Sequence, residues 1–144
     1  MANPRNVTDT EGIDAVYATF AIDNSTIVYD GTKVGGAATT MLNKAVTFSA
    51  ASTVALAADG DAIVGRLDLV EADNKCSVQV GGYTNLPGGT GATLTRGFKF
   101  VGALLSSAKG YIREVASATA AELNKGRGQI VDATDTAAVK ILLD

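Results

Sequence analysis

The feature that most constrains this chain is a period of two. Cys76, Val78 and Val80 alternate with Lys75, Ser77 and Gln79; upstream, Ile63, Gly65, Leu67 and Leu69 fall on one side of a run with Arg66 and Asp68 on the other. A strand sends successive side chains to opposite faces, so this spacing writes sheet with one dry face and one wet face. Phe98 and Phe100 flank Lys99 in the same way, and Val139, Ile141 and Leu143 are predicted to face inward together. Turn formers separate the runs: Asp30-Gly31, Asp59-Gly60-Asp61 and Ala72-Asp73-Asn74. The pattern predicts a hairpin over 27–34, strands over 45–49, 53–57, 63–69, 75–80, 92–95, 98–101 and 111–115, and a closing hairpin of 129–131 with 138–143. The Gly-rich stretch 81–91 reads as a loop. One helix of about two turns is expected, from the capping box Thr119-Ala120-Ala121-Glu122 to the stop Lys125-Gly126. The expected class is all-β with one short helix: a compact β-sandwich or β-tulip-like barrel with an extended N-terminal arm.

With 144 residues the chain is long enough for one domain with a real core. Its first 24 residues read differently from the rest, with Arg5 as the one cation against Asp9, Glu11, Asp14 and Asp23. Their apolar residues, Val7, Ile13, Val16, Tyr17 and Phe20, keep neither period cleanly. This segment reads equally as an arm that orders on a partner surface and as a first strand with a frayed end. The organisation assigned is an arm over 1–24 and a single β-rich domain over 25–144.

Composition removes much chemistry. The chain has no His, no Trp and a single Cys, so catalytic triads that need His, His-bearing zinc sites and an internal disulfide are excluded. Gly89-Thr90-Gly91 opens like a dinucleotide fingerprint but lacks the third Gly and a following helix, and no Gly-Lys-Ser/Thr is present. Asp59/Asp61, Asp132/Asp135 and Glu114/Glu122 are the carboxylate pairs, each at a turn or an expected exposed face; Asp59-Gly60-Asp61 lacks the further ligands of a calcium loop. Cys76 is expected to pack in the core. No catalytic residue, cofactor or metal is assigned, and the chain is read as no enzyme.

Charge is distributed unevenly. Residues 96–127 carry Arg96, Lys99, Lys109, Arg113, Lys125 and Arg127 against Glu114 and Glu122, whereas the N-terminal segment is acidic. Complementary charge fixes register and speeds encounter, so Arg96, Lys99, Arg113 and Arg127 are interface candidates, within one chain or between subunits. A net charge of −3 gives no general attraction to nucleic acid, and no direct nucleic-acid partner is expected. The opening residues lack the apolar core of a signal peptide, and the uncharged stretch 45–58 is too short to span a bilayer; synthesis in a host cytoplasm with no membrane partner is the expectation.

Two segments carry a resemblance. Ala58-Asp59-Gly60-Asp61-Ala62-Ile63-Val64-Gly65-Arg66-Leu67 followed by Cys76-Ser77-Val78-Gln79-Val80-Gly81-Gly82-Tyr83 resembles the middle of tailed-phage head decoration proteins, or capsid cement proteins, in which a D-G-x-x-x-G-type strand leads into a V-x-V-x-G strand. The ending, Gly126-Arg127-Gly128-Gln129-Ile130-Val131-Asp132 with Val139-Lys140-Ile141-Leu142-Leu143, is similar in style. The resemblance implies a structural virion protein on the capsid exterior, homotrimeric at local threefold positions, that stabilises the expanded head by clamping neighbouring major capsid subunits. It also implies capsid contact through the N-terminal arm, here Arg5, Val7, Ile13, Val16, Tyr17 and Phe20. Alternatives are a surface carbohydrate-binding β module, against which the absence of Trp counts, and a trimeric β nucleotide hydrolase using Tyr83, the Gly-rich loop and Asp59 or Asp61.

Overall fold

The computed structural model describes residues 15–116 and 119–144. Among these residues, nine strands carry the fold: β1 (Val16–Ile22), β2 (Ala45–Ala50), β3 (Thr53–Leu56), β4 (Gly65–Val70), β5 (Lys75–Leu86), β6 (Phe100–Leu105), β7 (Ala108–Glu114), β8 (Gln129–Asp132) and β9 (Val139–Leu143), with one turn of α-helix, α1 (Ala120–Leu123). The main sheet runs β1-β3-β2-β4-β5-β9-β8, and β1 also pairs with β5. That second pairing closes β1, β3, β2, β4 and β5 into a five-stranded barrel, while β8 and β9 continue the sheet from the far half of β5. Closure leaves these strands no unpaired edge. Strands β6 and β7 form a separate hairpin.

The all-β expectation with one short helix is therefore met, as a closed barrel. Two apolar cores hold the fold together. Ile22, Ile27, Val46, Val54, Leu67, Val70, Cys76 and Val78 pack together in one. Ile63, Leu86, Phe100, Ile112, Ile130, Val139, Ile141 and Leu143 form the other. Cys76 lies in the first core as expected, where burial pushes its thiol up to about 11, with the charge of Glu71 acting the same way and the Phe20 backbone N–H opposing.

The expected strands over 45–49 and 53–57 and the closing hairpin are present, with Val139, Ile141 and Leu143 all inward. Several other expectations need correction. Residues 16–22 of the expected arm are β1, which pairs antiparallel with β5 (Tyr17 opposite Gln79, Ala21 opposite Lys75) and parallel with β3 (Ile22 opposite Val54). Its alternation of Ala18, Phe20 and Ile22 is masked in the sequence because Ala18 is small. Residues 27–34 form no hairpin. Asp30 bends the chain by accepting from the Thr32 N–H (2.9 Å) and hydroxyl (2.7 Å), and Gly35 and Gly36 follow at φ +79° and +78°.

Strand β5 runs through the expected loop to Leu86, because Gly82 at φ +95° bends the strand without ending it and the second half pairs with β9. Residues 92–95 form no strand; the Thr95 N–H donates to Glu114 Oε2 at 2.8 Å instead. Phe98 and Phe100 do not share a face: Phe98 is exposed before β6 begins, Phe100 fully buried. A bulge at Asp68 shifts the phase of β4, so Val70 and not Leu69 turns inward. Gln79, expected on a wet face, is 3% exposed and donates from Nε2 to the Gly81 carbonyl at 3.1 Å. The helix is one turn; Thr119 makes no side-chain cap, and the Glu122 carboxylate, in place of the reciprocal bond to the Thr119 N–H, accepts from the Ala116 N–H at 2.8 Å and from Arg113.

Candidate interaction surface

Most of the barrel's apolar side chains turn inward. On the face that Phe20 shares with Cys76 and Phe48 shares with Val54, β1 and β2 and the chain entering β4 leave an open groove of about 580 Å³, lined by Ala18, Phe20, Thr47, Phe48, Val64 and Val80. Phe48 is 53% exposed there. Its ring meets Phe20 edge-on, with centroids 5.2 Å apart and planes at 83°, a favoured aromatic geometry. Val16 and Tyr17, at the start of the same strand as Phe20, are also half-exposed.

Arg127 closes one side of the groove. Its guanidinium donates to the carbonyls of Val64 and Val80, while Nε donates to the Asp144 backbone oxygen at 3.2 Å. Burial lowers its pKa from the ordinary arginine value, partly offset by the charge of Asp144. The side chain thus ties β8 and the chain end to β5 and to the segment entering β4, and its charge stays in the groove wall.

The other sequence-selected cations divide. Arg113 donates from Nε to Asp59 at 2.9 Å and from Nη1 to Glu122 at 2.5 Å, joining β7 to the β3–β4 turn and to α1. These bonds raise the Arg113 pKa and hold the Glu122 carboxyl below its usual value, with the Ala116 N–H assisting. Arg96 and Lys99 are exposed; Arg96 adds to the field that keeps the Asp132 carboxyl low, after the hydrogen bonds from Thr134. Among the described residues neither ion pair joins residues 15–32 to 96–127. The arm candidates Val16, Tyr17 and Phe20 lie on β1, whereas Arg5, Val7 and Ile13 lie outside the described residues.

The Gly-rich loop uses its backbone inwardly. The N–H groups of Gly88, Gly89 and Thr90 donate to Thr136, Ile112 and Leu104 carbonyls at 2.8–2.9 Å, so they do not form a phosphate cradle. Asp59 is engaged by Arg113, Asp61 accepts from the Ala58 N–H at 2.9 Å, and Tyr83 sits on β5 opposite Leu142. Among the described residues no three metal-capable side chains converge, and no helix is long and apolar enough to cross a membrane.

Sequence reasoning missed Phe48 and Val64. Phe48 continues the core-facing alternation of Val46 on β2 and is exposed near that strand's end, and Val64 lies just before β4. Comparison with protein-family models, with curated proteins and with solved structures finds no match.

Proposed function

We propose that this protein is a structural decoration protein that binds the outer surface of an icosahedral phage head as a trimer and clamps neighbouring major capsid subunits after expansion. The reading rests first on the resemblance at residues 58–67 and 76–83, which lie in the β3–β4 turn, β4 and β5. The observation that carries it further is the open groove of Phe20, Phe48, Val64 and Val80 beside β1, the strand into which the N-terminal segment leads. A clamp needs a rigid body and an exposed apolar contact near its attachment segment. The closed barrel supplies the first and the groove the second. Many copies on one shell make modest affinity per contact sufficient.

The test is co-sedimentation of the full chain with expanded heads that lack it, beside Phe48→Asp. The full chain is expected to pellet at a saturating copy number divisible by three. Phe48→Asp, folded as judged by circular dichroism, is expected to bind at least tenfold more weakly, since a charge replaces a buried aromatic contact. A full chain that stays in the supernatant overturns the reading.

A further inference from the structure

Among the described residues, two cations on the barrel have no carboxylate within 4.0 Å and share one cavity. Lys44 precedes β2, Arg66 lies on β4 and Asn85 on β5; with Asn43, Pro87 and Ala138 they line a space of about 190 Å³. An adjoining space of about 270 Å³ shares Lys44, Pro87 and Ala137 and extends to Tyr111 and Leu105.

The Arg66 guanidinium is held rigidly. Nη1 donates to Thr84 Oγ1 at 2.9 Å and Nη2 to Asn43 Oδ1 at 2.8 Å. Its Nε is closed to solvent and has no partner, and neither has Asn85 Oδ1. Lys44 lies with its ammonium 5.1 Å from the Tyr111 ring centroid, and partial burial lowers its pKa. Among the described residues no carboxylate comes within 4.0 Å of either cation, because both ion pairs belong to Arg113. The nearby acid in sequence, Asp135, is turned to its own loop, accepting from the Ala137 N–H at 3.0 Å.

Both side chains are partly buried, and the Arg66 Nε donor is closed to solvent and unmet, which is costly. In a chain of net charge −3, two such cations at one cavity call for an anion. A preorganised guanidinium beside a point-charge ammonium matches an oxyanion. The cavity is several times the ~30 Å³ share of one water. A half-turn of the Asn85 amide would place Nδ2–H where Oδ1 now has no partner, adding a third donor.

We propose that this cavity binds a small oxyanion, a carboxylate or a phosphate group, between the guanidinium of Arg66 and the ammonium of Lys44. A carboxylate would come from an acidic side chain of a bound protein, and a phosphate from a free ion or phosphorylated group. The test titrates the 15N-labelled full chain with sodium acetate, inorganic phosphate and sodium chloride at matched ionic strength. It follows the Arg66 Nε–Hε signal and the backbone amides of Lys44 and Asn85. The proposal expects saturable shifts with acetate, with phosphate or with both, and Lys44→Met weakening them about tenfold. Saturation by acetate alone identifies the carboxylate source, and by phosphate alone the phosphate source. Shifts that chloride reproduces, no saturable shift, or an unchanged affinity in Lys44→Met would each overturn it.

Discussion

At Gly65 the barrel leaves no room for a β-carbon. One built there would lie 2.0 Å from the Gln79 carbonyl and 2.9 Å from Val78 Cγ1, because β4 and β5 press together where Gly65 enters the sheet. Neither neighbour is a flexible side-chain end that can yield. Gly65→Ala is expected to lose about 3 kcal/mol or more of stability, read by urea denaturation, with overpacking as the cause. Glu122 gives a pH-dependent case. Its hydrogen bonds with Arg113 and the Ala116 N–H depress its folded pKa, so its contribution is present above the unfolded value of about 4.3 and is lost as pH falls through the folded one. Glu122→Gln is expected to cost about 1 kcal/mol at neutral pH, a modest figure because solvent screens the pair. The gap between the two proteins is expected to narrow as pH falls below about 4.3; a gap that persists undiminished would mean that the carboxylate's charge is not what matters.

Among the elements, β1 holds the decisive place, since it is bonded to both β3 and β5 and closes the ring. The described pairings begin at Val16. Deleting residues 1–14 is expected to leave the circular dichroism spectrum and cooperative melt intact, whereas deleting 1–24 removes Phe20 and Ile22 from the core and opens the barrel. The longer deletion is expected to melt non-cooperatively or fail to fold, so the shorter one is the proper probe of the arm. This strand also shows what could be read in advance. Strong alternation with large apolar residues, as in β5 and β9, was legible, and so was the inward set of Val139, Ile141 and Leu143. Alternation interrupted by a small residue, as at Ala18, was not. Nor was the β6–β7 turn, where Ser106 takes φ +57° without a Gly or Asn to announce it. The capping box at Thr119 misled because Glu122 had a stronger partner in Arg113, 9 residues earlier. Of the candidate surface, Val16, Tyr17, Phe20 and Arg127 were singled out in the sequence. Phe48 stayed hidden because exposure depends on closure, a long-range property that local spacing does not carry.

For the whole molecule, a closed barrel is a stiff body whose apolar groove remains available for another surface. A trimer of such bodies, each gripping adjacent subunits, would resist outward pressure by mass action, since whatever binds the intact shell and not its ruptured form stabilises it. The most direct measurement of that claim is the temperature at which expanded, DNA-filled heads rupture, followed by release of a DNA-binding dye, with and without saturating protein. A rise in rupture temperature that saturates with occupancy and is lost with Phe48→Asp is expected. Saturated heads that rupture at the same temperature as bare ones would contradict it.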